Sequence, residues 1–179
     1  MFTKFFLYFN VLLFFGLGLE IILSQKRSAF KAYFNVCAVN SAVAMIVSMF
    51  LFTAKPFLET VCKFSDHHVF IAALIFSFTL NEFFFNVLKH SDFYIYDSLN
   101  LFSAIVPFMI YKTSGSNLSA MLDSFGASAG FLFVSSMFYF IKKRIEAEAE
   151  THDEFKIFCY ELILFGFTSA SFSIFFRVV

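Results

Sequence analysis

The stretch AYFNVCAVNSAVAMIVSMFLFTA, from Ala32 to Ala54, decides what kind of protein this is. It is 23 residues long and contains no charged side chain. A helix needs about 20 apolar residues, at about 1.5 Å each, to cross a hydrocarbon core about 30 Å thick. The whole chain agrees with this stretch, because 60% of its 179 residues are hydrophobic and only 15% are charged. The sequence therefore predicts an integral membrane protein.

Five further apolar segments lie on either side of this stretch, and they are Phe5–Leu23, Val69–Leu88, Leu99–Tyr111, Met121–Ile141 and Ile157–Phe176. We expect the second span to stop at Pro56, because proline does not continue a helix comfortably. The fourth span is short and contains Pro107, which favours a broken or half-helix. The connections are short, so the prediction is one all-α transmembrane domain over residues 1–179 with six helices.

The positions of lysine and arginine predict the orientation, because cytoplasmic loops collect basic residues. Most of them fall after the first, third and fifth spans, at Lys26, Arg27, Lys31, Lys89, Lys142, Lys143, Arg144 and Lys156. The other side has only Lys4, Lys55, Lys63, Lys112 and Arg177. Both termini are therefore predicted to face outward.

The two halves of the chain resemble each other at an offset of 88 residues. Ser48, Met49, Phe50 and Phe52 match Ser136, Met137, Phe138 and Phe140, and Phe70, Leu74 and Ile75 match Phe158, Leu162 and Ile163. Each half would contain three spans, an odd number, so a duplication would place the halves in opposite orientations. This predicts two inverted three-helix repeats, about 1–90 and 91–179, with a broken first helix in each.

Four carboxylates fall within predicted spans, where an ionisable group is costly and points to function or to a partner. Glu82 lies beside Asn81 and is the preferred candidate for an ion or proton path, and Glu161 and Glu20 are further candidates. Asp123 lies near a span end, where a carboxylate more often pairs with a neighbouring base or reaches the headgroups.

Metal, redox and nucleic-acid functions find little support in the sequence. The three cysteines, Cys37, Cys62 and Cys159, are far apart and form no C-x-x-C pair. The sequence Asp66-His67-His68 could bind a metal, but adjacent histidines rarely face one ion, so we expect a solvated loop. Formal net charge is zero, which gives no reason to expect nucleic acid as a partner.

Four stretches of the chain resemble, in order, the small six-span membrane subunits of the Rnf and Nqr respiratory complexes, of the RnfA or NqrE type. They are NVLLFFGLGLEIILSQKR, NEFFFNVLKHS, LFSAIVPFMIYKTSG and DSFGASAGFLFVSSMFYFIKKRIEAEAETHDEFKIFCYELILFGFTSASF. The resemblance implies a multi-pass subunit in a bacterial inner membrane, in an ion-translocating complex that passes electrons from NADH to a quinone or between ferredoxin and NAD. It also implies partners, above all a sister six-helix subunit, and a shared 2Fe–2S cluster held by cysteines of both.

The cluster ligands are where this chain departs from the family. The positions of the family's two cysteines correspond to Glu20 and Thr113. The cluster-ligand role therefore does not carry over, and we expect no cofactor on this chain alone. It has no glycine-rich dinucleotide fingerprint and would be at most a non-catalytic subunit.

Three functions stay open from the sequence. The chain could be a divergent Rnf or Nqr subunit whose carboxylates help ion movement. It could be a stand-alone membrane carrier on the same inverted-repeat fold, or a structural assembly subunit.

Overall fold

The computed structural model describes residues 30–88, 101–148 and 154–177. Within these ranges five α-helices form, namely α1 (Phe30–Thr60), α2 (Asp66–Leu88), α3 (Leu101–Thr113), α4 (Asn117–Glu148) and α5 (Glu154–Arg177). The predicted all-α class is confirmed for this part of the chain. The predicted first span, Phe5–Leu23, lies outside the described residues, as does Glu20, so the count of six spans stays a prediction.

Three of the helices are long and apolar enough to cross a membrane. The qualifying segments are Tyr33–Thr60, Asp66–Phe84 and Asn117–Ile145, with 28, 19 and 29 residues. Large apolar side chains on their outer faces, such as Phe50, Phe76 and Phe83, are exposed, as expected for surfaces that contact lipid tails. α3 has only 13 residues and is about 20 Å long, too short to cross alone.

α1 lies at the centre of the bundle and packs against α2, α3 and α4, while α5 packs against α4. The Tyr33 hydroxyl donates to the Ser135 carbonyl and the Ser128 hydroxyl donates to the Ser41 carbonyl, so α1 and α4 run antiparallel. We call the end of the bundle where α3 ends and α4 begins the Asp123 end. The opposite end, where α4 meets α5, is called the Glu161 end.

The prediction that the second span stops at Pro56 is wrong, because α1 continues through it to Thr60. A proline removes a single helical hydrogen bond, and here only the last turn of the helix follows it. The Thr60 hydroxyl donates to the Pro56 carbonyl and adds a bond within that turn. The basic residues Lys142–Arg144, expected in a loop, likewise belong to α4.

α3 is short, as predicted, but it is not broken at Pro107. The missing proline N–H would have bonded the carbonyl of Ser103, four residues earlier. The Ser77 hydroxyl of α2 donates to that carbonyl at 2.5 Å, and the Asn81 amide donates to the Ser103 hydroxyl at 3.0 Å. A neighbouring helix thus satisfies the backbone group that proline frees, which membrane helices require.

Two apolar clusters fill the bundle. The larger joins α1, α3 and α4, and its centre is the stacked pair Phe102 and Phe131, whose rings lie 4.1 Å apart. The smaller joins α1, α2 and α3 around Val43, Val47 and Leu51. These clusters fix α1, α3 and α4 against one another and so position the polar groups between them.

The helix bounds correspond at the offset of 88 residues. Adding 88 to the bounds of α1 gives 118–148, where α4 spans Asn117–Glu148, and adding 88 to those of α2 gives 154–176, where α5 spans Glu154–Arg177. The hydroxyls of Ser48 and Ser136, equivalent in this register, each donate to the carbonyl four residues earlier. The six-helix inverted repeat itself stays a prediction.

Candidate functional site

A polar face runs along α4 and is buried against the rest of the bundle. Ser119 and Asp123, about one turn apart, form one edge of this face, and Ser124, Ser128 and Ser135, about one and two turns apart, form the other edge. From Ser119 to Ser135 the face extends about 24 Å at 1.5 Å per residue. It meets Ser41 and Tyr33 of α1 through the two hydrogen bonds between these helices.

Some of these polar groups bond to their own helix and need no ligand. The Ser124 hydroxyl donates to the Ala120 carbonyl at 2.6 Å, and the Ser48 hydroxyl of α1 does the same to Ala44. Such serines let helices approach closely in lipid, so their role is packing.

Other buried oxygens have no hydrogen-bond partner among the described residues. They are Asn40 Oδ1, Ser41 Oγ, Asn81 Oδ1 and Asp123 Oδ1. Buried polar atoms in folded proteins are nearly always bonded, and an unbonded one inside a membrane costs several kcal/mol. Oxygens of this kind on α1, α2 and α4 point to water or a polar solute inside the bundle.

Asp123 is the buried carboxylate of the Asp123 end, with only 4% of its surface exposed. The Ser114 hydroxyl, in the turn between α3 and α4, donates to Oδ2 at 2.9 Å. That turn is fixed because the Ser116 and Ser119 hydroxyls each accept from the other's backbone N–H, as in a capping box. The sequence favoured a paired or headgroup-facing Asp123, but its only hydrogen bond in the described structure is to a hydroxyl.

Glu161 is the buried carboxylate of the Glu161 end, with 8% exposure. Its Oε1 lies 3.2 Å from Nζ of Lys142 on α4, which is itself mostly buried. Tyr33 and Cys37 of α1 are fully buried beside Ser135 on the same side of the bundle. Glu161 therefore sits in an ion pair that ties α5 to α4.

Glu82 is partly exposed on α2, and its neighbour Asn81 is the residue that enters the core. Asn86, expected on the same face as Glu82, is exposed. Whether Glu82 serves an ion path stays a prediction. The structural role at this position of α2 belongs to Asn81, through its bond to Ser103.

Two further sequence candidates lie near the Asp123 end. Thr113 is exposed at the end of α3, and its hydroxyl donates to the Met109 carbonyl. Asp66 pairs with Lys112, and His68 Nδ1 accepts from the Ser65 N–H at 3.3 Å, so this histidine caps α2. Within residues 30–88, 101–148 and 154–177, no group of three metal-ligating side chains is found.

Sequence reasoning missed the partners that give these groups their roles. The sequence predicts a loop at Lys142, although its position about two turns of helix beyond Ser135 could have placed it on the same face. The bonds from Ser77 and Asn81 to Ser103 join residues more than 20 positions apart, and no local pattern predicts them.

Comparison with known proteins adds no relative. No family model, no curated protein and no solved structure matches this chain. Function is therefore inferred from the geometry of the described helices.

Proposed function

We propose that this protein is a small membrane transporter that moves a cation or a small polar solute through the interior formed by α1, α3 and α4. The observation that carries the proposal is the set of buried oxygens that have no hydrogen-bond partner among the described residues, at Asn40 and Ser41 of α1 and Asp123 of α4. In lipid, such atoms are stable where water or a transported solute bonds them.

The position of these groups supports a path across the membrane. Asp123 lies toward one end of α4 and Ser135 toward the other, with Asn40 and Ser41 of α1 beside Ser128 between them. The outer faces of the helices are apolar, so polar groups concentrate inside. This is the distribution that a transporter needs, with a lipid-compatible exterior and a polar interior.

Transport by the purified protein tests the proposal. The full chain is reconstituted into liposomes, and uptake of radiolabelled Na⁺ and small polar solutes is measured against protein-free liposomes. An Asn40→Leu variant removes a polar group from the interior and is expected to reduce uptake, whereas Thr53→Val alters an exposed hydroxyl on the same helix and should not. Equal uptake by both variants and the unaltered protein would exclude this path.

A second candidate function is membership in an Rnf- or Nqr-type electron transport complex of a bacterial inner membrane. The helix bounds that recur at 88 residues, the antiparallel course of α1 and α4, and the short proline-containing α3 favour it. Under this proposal the chain binds a sister six-helix subunit, and its interior serves ion movement without a cluster ligand at Thr113. A purely structural subunit would need no unpartnered oxygens inside.

Purification from the native membrane in mild detergent tests this second function. Mass spectrometry identifies the copurifying proteins, and an iron assay reports a cluster. Flavin-bearing subunits of such a complex in stoichiometric amount would support it, and a lone, iron-free protein would favour the transporter. Tags at both termini, assayed for access from outside, test the predicted orientation.

A further inference from the structure

The charged groups of α1, α2 and α3 near the Asp123 end have partners, whereas Asp123 has no charged partner within residues 30–88, 101–148 and 154–177. Lys112 pairs with Asp66 at 2.5 Å. Lys55 Nζ donates to the Tyr111 carbonyl at 3.1 Å, and the Tyr111 hydroxyl donates to the Glu59 carboxylate at 3.1 Å. Asp123 is more deeply buried than any of these carboxylates, yet it has only the Ser114 hydroxyl.

An ionised carboxylate with one hydroxyl donor is far from compensated at such burial. A carboxylate in an apolar medium requires a paired cation, several donors or a proton. Oδ2 accepts from Ser114, and Oδ1 has no partner among the residues that the structure describes. Oδ1 is thus an open position for a positively charged ligand.

The Ser114 oxygen donates its proton to Oδ2 and keeps two lone pairs with which it can accept or coordinate. A carboxylate oxygen and a hydroxyl oxygen are hard ligands, which suit an alkali cation better than a soft metal. A single carboxylate balances one positive charge, so the fit is to a monovalent cation.

We propose that Asp123, supported by Ser114, is a binding site within the membrane for a monovalent metal cation, with Na⁺ as the ligand. The inference rests on the proposed transport function, because it names the ion that this interior would move or couple to. Binding of a cation to Oδ1 neutralises the carboxylate and explains how it is held without a basic partner.

Cation binding is measured on the purified full chain in detergent, without transport. Binding of radiolabelled Na⁺ is titrated, and infrared difference spectra record the C=O stretch of a protonated carboxylic acid. Asp123→Asn removes the charge at nearly constant volume. Glu59→Gln is the matched control, because Glu59 is an exposed carboxylate at the same end of the bundle.

Saturable Na⁺ binding that Asp123→Asn weakens about tenfold or more, and Glu59→Gln leaves unchanged, would identify Na⁺ as the ligand. A protonated-acid band that Asp123→Asn removes, with no Na⁺ binding, would overturn the Na⁺ site. Neither signal, or a signal equally present in Asp123→Asn, would overturn the proposal.

Should Asp123→Asn fail to fold, Ser114→Ala keeps the carboxylate and removes its hydroxyl partner. A changed Na⁺ affinity in that variant supports the site, and an unchanged Na⁺ affinity overturns it. Binding without liposome uptake would leave the site intact and exclude transport, whereas uptake without binding at Asp123 would exclude the site alone.

Discussion

Asp123 and Glu161 are both buried carboxylates on helices of the same bundle, and they differ in what lies beside them. Glu161 has the ammonium group of Lys142 at 3.2 Å, and Asp123 has a serine hydroxyl at 2.9 Å. In a buried ion pair the two opposite charges compensate each other and hold two helices in register. A carboxylate that has only a hydroxyl donor needs a further ligand. The difference separates a group that stabilises the fold from a group available for chemistry.

The helices around Asp123 and Glu161 also differ in how they are packed. Of the described helices, α5 packs mainly on α4, and the Lys142–Glu161 pair is one polar contact between these two helices. Asp123, in contrast, lies where α3 turns into α4, in a part of the bundle that two apolar clusters already hold together. The Asp123 end therefore does not depend on an ion pair for its packing.

The largest expected effect is that of Lys142→Met. Removal of one partner breaks a mostly buried ion pair, and we expect a loss of about 3 kcal/mol in the free energy of unfolding. Unfolding is measured by titration with a denaturing detergent in mixed micelles. Lys143→Met, at the exposed neighbouring lysine, is the control. If both variants unfolded alike, the pair would contribute nothing to the fold.

Ser114→Ala is expected to have the next largest effect, a destabilisation of about 2 kcal/mol, because Asp123 loses its hydrogen-bond donor. The same denaturant titration measures it. The substitution repeated in the Asp123→Asn background should cost clearly less, since an uncharged amide needs the donor less. Equal losses in both backgrounds would show that the serine acts through the turn and not through the carboxylate.

Tyr33→Phe should destabilise by about 1 kcal/mol, because it deletes the buried hydrogen bond to the Ser135 carbonyl between α1 and α4. The ring stays, so the packing against Tyr139 is retained. Amide hydrogen exchange near Ser135 is expected to rise. Unchanged exchange and stability would mean that another donor replaces the hydroxyl.

Asp66→Asn is expected to have the smallest effect, at most about 0.5 kcal/mol, because the pair with Lys112 is exposed and screened by solvent. Thermal unfolding at low and high salt measures it, and the small difference should vanish at high salt. A loss as large as that of Lys142→Met would contradict the distinction between exposed and buried pairs drawn from these two ends.

Much of the fold was predictable because apolar runs set helix positions directly. The uncharged stretch from Ala32 to Ala54 lies inside α1, and the small-residue stretch after Asp123 lies inside α4. The predicted end of α1 is wrong, because the helix continues for one more turn after Pro56. Pro107 was expected to break its helix, but the Ser77 donor from α2 replaced the lost bond, and no local rule contains that donor.

The candidate site was predictable only in its members. Glu161 and Asp123 stand out in sequence because a charge in an apolar run is costly whatever surrounds it. The sequence did not predict which of these two carboxylates has a basic partner. It favours a paired or headgroup-facing position for Asp123, and the structure places Asp123 deeply buried with a hydroxyl partner. Glu82 is the preferred ion-path candidate among the carboxylates in the sequence, and in the structure its neighbour Asn81 is the buried residue.

By itself, the sequence determined that this chain forms apolar helices suited to a membrane, because transfer of apolar side chains out of water depends only on composition and run length. It also determined which carboxylates lie in apolar segments, where a charge is costly and points to a partner or a function. Only the tertiary structure decided which charge is neutralised by a lysine and which faces an open position, because Lys142 and Glu161 lie on separate helices that packing brings to 3.2 Å. Electrostatic compensation depends on distance and burial, and both are properties of the assembled bundle.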